Sequence, residues 1–116
     1  MPVVFVVSGE WDLRGAVRAE LRERGITALG METVDDMART IAGGIAPSAV
    51  VVDGALLHQA ETRAAVENLS CHVPVLVVDS RVSPAPPLPD VTTLLRPVQV
   101  KQIVSRVLQM ISLQRF

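Results

Sequence analysis

The chain has very few aromatic residues, a single cysteine and no long hydrophobic run. Aromatic residues make up 3% of its 116 residues, with one tryptophan and no tyrosine. The lone Cys71 excludes an internal disulfide or a cysteine-rich zinc site, and it suits a reducing, cytoplasmic location. The apolar stretch near the N-terminus is too short for a membrane span or a signal peptide, so no membrane contact is expected.

The charge balance is equally uninformative about large charged partners. The formal net charge is −1, with both signs mixed along the chain, so no basic patch argues for direct binding of nucleic acid. Hydrophobic residues reach 49%, which suits a globular domain with a substantial core. At this length we expect one domain over residues 1–116.

Three short apolar stretches each end in polar residues. Val3 to Val7 runs into Ser8-Gly9, residues 49–52 run into Asp53-Gly54, and residues 75–78 run into Asp79-Ser80. Such runs are typical of buried strands in a parallel sheet, whose carboxyl ends share one edge. The sequence therefore predicts a site at that edge, organised around Asp53.

Helical patterns alternate with the strands. We predict strands at 3–7, 26–31, 49–53, 74–78 and 91–95. Helices are expected at about 13–24 with Asp12 as N-cap, from Thr33 to Gly43, at about 56–69, and from Pro97 at the first helical position onward. This alternation predicts an α/β fold of flavodoxin-like type, a three-layer sandwich with a parallel sheet in the order 2-1-3-4-5.

The segment 82–90 breaks the alternation. It contains four prolines, which exclude a helix where the pattern calls for a fourth one before the last strand. Either a plain surface connection or a docking surface for a partner would suit a stiff, proline-rich stretch. A loop therefore replaces the fourth helix, which continued alternation would place between the fourth and fifth strands.

Taken in order, these features make the chain similar to the receiver domain of two-component response regulators, a CheY-like fold. Asp53 stands where that family carries its phosphoacceptor aspartate. Arg14 and Gly25 fit the first helix and its end, Pro74 precedes the fourth strand, and Leu94-Leu95-Arg96-Pro97 resembles the hydrophobic-Lys-Pro signature before the last helix. The resemblance implies signal transduction, a cytoplasmic location, and a partner protein or output domain.

The departures from the receiver pattern predict a degenerate site. Ser8 and Gly9 replace the acidic pair that holds Mg²⁺ in receivers, which leaves only Glu10 and Asp53 as oxygen ligands, so we expect no metal cofactor. Asp79, followed by Ser80, stands in place of the Thr or Ser that contacts the phosphoryl group. Thr93 replaces the aromatic switch residue.

Arg96 takes the place of the receiver lysine. An ion pair of Arg96 with Asp53 or with Asp79 would neutralise the site internally. His58 and His72 are isolated, and no nucleophile with a base can be assembled from the sequence, so the chain is not expected to be an enzyme.

An excess of apolar residues in the last helix predicts that part of it is buried by a partner protein or by a second copy of the chain. Trp11, in the loop beside the site, would either cap the emptied pocket or be exposed as an anchor. The interface candidates are Trp11, Val100, Val104, Val107 and Ile111.

Three hypotheses follow. The first is a phosphorylation-independent receiver-like domain that acts by protein–protein contact. The second is an atypical receiver that is still phosphorylated on Asp53. The third is a flavodoxin-like module that binds a small ligand at the loop after the first strand.

Overall fold

The computed structural model describes residues 2–113 as an alternation of strands and helices. The strands are β1 Val3–Val7, β2 Thr27–Met31, β3 Ala49–Asp53, β4 Val75–Asp79 and β5 Thr92–Leu95. The helices are α1 Trp11–Glu23, α2 Val34–Ala42, α3 Ala60–Ser70 and α4 Val100–Leu113, and a short 3₁₀ helix covers Gly54–His58. Within this part of the chain, no helix is both long enough and apolar enough to cross a bilayer.

The five strands form one parallel sheet in the order β2-β1-β3-β4-β5, which confirms the predicted topology. The order reverses direction between β1 and β3, and the carboxyl ends of these two strands lie side by side there. Ser8 follows β1 and Asp53 ends β3, so the topology brings both polar residues to the same point.

One face of the sheet is covered by α1 and α4. Strand side chains alternate between the faces, and those on this face include Val4, Val6, Val51 and Leu76. From the helices, the buried residues that pack against them are Val17, Leu21, Ile103, Val104 and Val107.

This packing corrects part of the predicted interface. Val104 and Val107 are both fully buried against the sheet of their own chain, so neither can contact a partner. Val100 and Ile111 are only partly buried. The sequence showed an excess of apolar residues in α4, but the residues in the middle of its apolar face are buried within the domain.

The opposite face is covered by α2, α3 and the 3₁₀ helix, and also by the proline-rich segment 82–90. Ala85 and Leu88 from that segment, with Val91 just after it, pack on the same cluster as Phe5, Val52 and Val77, among others. The segment has no helical residue, as predicted. It nevertheless supplies apolar side chains to the face that a helix would otherwise cover.

Several predicted boundaries are wrong by a few residues. Helix α1 begins at Trp11, so Asp12 lies in its first turn, and the N-cap position belongs to Glu10, whose side chain makes no capping hydrogen bond. Helix α4 begins at Val100, and Pro97 lies before it. The prediction for Thr33 is confirmed, because its hydroxyl accepts a hydrogen bond from Asp36 N at 3.1 Å.

Candidate functional site

Asp53 is the buried acid at the carboxyl edge of the sheet. Only 4% of its surface is exposed, at the end of a strand whose other four residues are fully apolar. A buried carboxylate is costly unless its oxygens are hydrogen-bonded or paired. The contacts of its two oxygens therefore decide what this site can do.

Both oxygens of Asp53 have partners within the chain. Oδ1 accepts the backbone N–H of Ala55 at 3.1 Å, which caps the 3₁₀ helix that follows β3. Oδ2 accepts the Ser8 hydroxyl at 2.8 Å and lies 3.5 Å from Nη2 of Arg96. The carboxylate is thus held by a local amide, a hydroxyl from β1 and a cation from the end of β5.

Ser8 joins the loop after β1 to the end of β3. Its hydroxyl donates to Asp53, and the same oxygen accepts the backbone N–H of Glu10 at 3.0 Å. Ser8 is almost fully buried, with 1% of its surface exposed. The sequence marked this position only as a missing metal ligand, and the hydrogen bond to Asp53 was not predicted.

Arg96 pairs with Asp53, which selects one of the two ion pairs that the sequence left open. Its other nitrogen, Nη1, donates to Glu10 Oε2 at 3.2 Å, so the guanidinium lies between the two carboxylates. The Arg96 side chain is 35% exposed, so solvent screens part of this attraction. Toward Asp79, Arg96 offers only its backbone N–H, which donates to the Asp79 carbonyl at 2.9 Å.

The Asp79 carboxylate serves the proline-rich segment rather than the Asp53 site. Oδ1 accepts the backbone N–H of Ser80 at 2.8 Å, and Oδ2 accepts that of Ala85 at 3.0 Å. Prolines remove N–H donors from this stretch, and the N–H of Ala85 is one of those that remain. Asp79 therefore anchors the segment where it leaves β4.

Gly54 makes room for this anchor. A Cβ atom at Gly54 would stand 2.7 Å from Cγ and 3.1 Å from Cα of Asp79, so a larger residue would collide with both side chain and backbone. The glycine after Asp53 is required by a neighbouring strand, a role that its position in the sequence did not reveal.

The remaining predicted site residues are spread around a cleft of about 300 Å³. Its walls include Glu10, Asp53, Asp79, Ser80 and Arg96, so the structure brings most of the predicted set together. The Ser80 hydroxyl is turned toward the segment, where it accepts Val82 N at 3.1 Å. His58, which the sequence showed only as an isolated histidine, also lines the cleft.

Gly9 and Thr93 contribute less to this cleft. Gly9 is exposed in the loop between β1 and α1, and a Cβ atom there would meet nothing within 4 Å. Thr93 is exposed on β5 and lines a small void beneath the proline-rich segment together with Ala85 and Leu88. Thr93 therefore neighbours the segment rather than the carboxylate.

The donor set at this edge does not fit Mg²⁺. Magnesium takes carboxylate, phosphate and water oxygens in near-octahedral geometry. Of the three carboxylates that line the cleft, Asp53 accepts the Ser8 hydroxyl on Oδ2, and Asp79 accepts two backbone N–H groups. The Arg96 cation lies between Asp53 and Glu10. Within residues 2–113 there is no cluster of three or more His, Cys, Asp or Glu side chains that could hold a metal ion.

A second surface lies between β5 and α4. An open groove of about 690 Å³ is lined by apolar and polar side chains, including Leu95, Pro97, Val98 and Arg106. Leu95 is 41% exposed there.

Trp11, at the start of α1, is 76% exposed, which excludes its expected alternative role as a cap over the site.

Comparison with known proteins supports the fold. No protein-family model matches the chain, and no curated protein matches it. Among solved structures, a response regulator receiver protein from Sinorhizobium medicae WSM419 is similar at 15% identity, with 96% of this chain and 94% of that one covered and a TM-score of 0.76.

Two further structures give the same picture. The N-terminal domain of a response regulator/sensory box/GGDEF three-domain protein from Carboxydothermus hydrogenoformans matches at 16% identity, with 97% and 96% of the two chains covered and a TM-score of 0.79. A CheY-like response regulator receiver domain protein from Methanospirillum hungatei JF-1 has 16% identity, 98% and 97% coverage, and a TM-score of 0.74. The chain has the CheY-like fold along nearly its whole length.

Proposed function

We propose that this chain is a signal-transduction domain of receiver type that works by protein–protein contact, without phosphorylation and without catalytic activity of its own. The observation that carries the proposal is the hydrogen bond from Ser8 to Asp53, at 2.8 Å, beside the Arg96 ion pair. The fold supports the receiver comparison, while the internal partners of Asp53 argue against its use as an acceptor.

Phosphoryl transfer would have to displace these partners. The attacking carboxylate oxygen needs an open approach to phosphorus, and the charge of the incoming group must be neutralised by cations held nearby. Here Oδ1 accepts an amide, and Oδ2 accepts a hydroxyl next to a guanidinium. The Mg²⁺ that would neutralise the charge has no suitable ligand set, and we propose that the domain uses none.

Mass spectrometry tests the proposal directly. The protein is incubated with Mg²⁺ and a small phosphodonor such as acetyl phosphate, and its intact mass is compared with that of Asp53→Asn. We expect no added phosphoryl group on either protein. A phosphoryl group on the wild type that Asp53→Asn removes would overturn phosphorylation independence and establish the second hypothesis.

Two features favour that second hypothesis, an atypical receiver phosphorylated on Asp53. The carboxylate lies at the end of β3, open to a cleft of about 300 Å³, and a guanidinium stands beside it. The third hypothesis, a small-ligand site in the loop after β1, gains no comparable support, because Glu10 N already donates to Ser8 Oγ in that loop.

The partner is proposed to be another protein, an output domain or a second copy. The three-domain Carboxydothermus protein, whose N-terminal domain shares this fold, is one case in which such a unit is joined to others. The exposed Trp11 and the groove between β5 and α4, with Val100 and Ile111 on that helix, are available for contact with such a partner. Light scattering at two concentrations tests self-association, and a monomer at both would leave a different protein as the partner. A cytoplasmic location stays a prediction.

A further inference from the structure

In the proline-rich segment, the residues that face the sheet are three positions apart, and the residues between them face solvent. Ala85 and Leu88, three residues apart, are half-buried against the sheet, whereas Pro84, Pro86, Pro87 and Pro89 are all exposed. A polyproline II helix has three residues per turn, so residues three apart share an edge. The burial pattern over 84–88 is the one that such a helix gives when it lies on a surface with a single edge inward.

The two outward edges carry three of the prolines. With this repeat, Pro84 and Pro87 share one edge and Pro86 lies on the other, whereas Pro89 stands in the turn that ends the segment. Grooves that recognise Pro-x-x-Pro ligands accept two adjacent edges of the ligand and leave the third free. In this chain the third edge is the one that packs on the sheet, so seating the segment on the domain does not use the edges that a groove would need.

The segment is held at its start. Asp79 Oδ2 accepts Ala85 N at 3.0 Å, just after Pro84, and Ser80 Oγ accepts Val82 N at 3.1 Å, just before it, so both sides of Pro84 are tied to residues at the end of β4. A ligand fixed in its bound shape loses less conformational entropy on binding than a free peptide does. The attachment to the sheet therefore favours recognition of the exposed prolines.

The charged residues at the two ends of the segment would fix the orientation in which it binds. Arg81 is exposed just before the prolines and lies three residues before Pro84, while the exposed Asp90 follows Pro89. One donor of Arg81, Nε, binds the Arg96 carbonyl at 3.1 Å. A groove with a carboxylate at the arginine end would match the sequence Arg81-x-x-Pro84-x-x-Pro87 in one orientation only.

We propose that segment 81–89 is a docking site for a protein domain whose groove is lined by aromatic side chains and carries an acidic group at one end, the binding mode of SH3 domains. The inference rests on the proposed function in that it names the class of protein partner. It does not depend on whether Asp53 is phosphorylated, because the binding residues lie outside the Asp53 contacts.

Titration with purified domains tests this. The ¹⁵N-labelled full chain is titrated with a panel of SH3 domains and, separately, of WW domains, and the amide signals of Arg81, Val82, Ser83, Ala85 and Leu88 are followed by NMR. We expect at least one SH3 domain with an acidic groove end to shift these signals in a saturable way. No saturable shift from any SH3 domain at roughly 1 mM would overturn the proposal.

Variants of the segment distinguish specific docking from nonspecific binding. Pro84→Ala with Pro87→Ala, and Arg81→Glu, should each weaken binding about tenfold or more. Arg22→Glu makes an equal charge change on the exposed face of α1, and its dissociation constant should stay within about twofold of the wild-type value. Binding that is insensitive to the proline and Arg81 variants, or seen only with WW domains, would exclude an SH3-type groove.

This outcome is distinct from that of the phosphorylation test. Failure of the titration with no phosphoryl uptake would remove the docking inference alone. Phosphoryl uptake with a positive titration would remove phosphorylation independence and leave the docking site in place. The fold of the proline variants is checked by their NMR spectra outside residues 80–92.

Discussion

The Asp79 carboxylate accepts the backbone N–H of Ala85 at 3.0 Å, so the last residue of β4 holds the segment that stands in place of a helix. In receivers, this position carries a hydroxyl for the phosphoryl group, as the resemblance implies. Here only 7% of Asp79 is exposed, and its carboxylate is turned to the segment, where it accepts Ala85 N. The change at Asp79 and the proline-rich segment are therefore one structural feature rather than two separate departures.

Asp79→Ala should loosen the proline-rich segment. Removal of the carboxylate leaves the N–H groups of Ser80 and Ala85 without their acceptor, at a cost of about 1–3 kcal/mol in the free energy of unfolding. Hydrogen exchange by NMR should show faster exchange at Ala85. Glu67→Ala, on the exposed face of α3, serves as the control. It should change neither the free energy of unfolding nor the exchange rate at Ala85. Unaltered exchange at Ala85 would mean that the anchor is unimportant.

Gly54→Ala should destabilise the domain although it adds only a methyl group. The new Cβ would press on Asp79 Cγ and Cα, and overpacking of this kind costs about 1–3 kcal/mol. Gly9→Ala is the matched control, because a Cβ atom there meets nothing within 4 Å. Urea unfolding of the two variants measures the difference, and equal stability would show that Asp79 can move aside freely.

Arg96→Met should lower stability by removing the cation beside Asp53. The acid is almost fully buried and the arginine is 35% exposed, so we expect a loss of about 1–2 kcal/mol, between the values for surface and buried pairs. Combining Arg96→Met with Asp53→Asn should recover part of that loss, because the partner charge is then gone as well. Additive losses in this double-mutant cycle would rule out coupling between the two residues.

Ser8→Asp with Gly9→Asp should create a cation site that the natural chain lacks. The double variant puts one carboxylate at the position whose hydroxyl now bonds Asp53 and a second one in the adjoining loop. It should therefore melt at a lower temperature than the wild type in the absence of a divalent ion. Added Mg²⁺ should then raise its melting temperature, with a stabilisation of about 2.7 kcal/mol at 100 times the dissociation constant.

The wild type should show no such response to Mg²⁺, and Asp53→Asn in the double variant should remove it. A wild-type melting temperature that rises with Mg²⁺ as steeply as that of the variant would contradict the fit of the donor set. The experiment needs no phosphodonor, so its result stands apart from the mass measurement.

The sequence by itself determined the order of the elements, the sheet topology and the position of Asp53. These depend on local signals: apolar runs that end in polar residues, helical spacing between them, and prolines that exclude a helix. The contact of Ala85 and Leu88 with the sheet was not predicted, and only the structure shows it. Helix ends were less well determined, because a cap depends on hydrogen bonds that a sequence does not display.

Only the tertiary structure decided what each polar residue contacts. Ser8 and Asp53 are 45 positions apart, and Arg96 and Glu10 are 86 apart. Side chains of this kind can reach several partners, and the register of the strands and the space left by a glycine choose among them. In the structure, Arg96 pairs with Asp53, Asp79 holds the proline-rich segment, and Val104 and Val107 are buried. The sequence could not decide these contacts, because each depends on packing between distant parts of the chain.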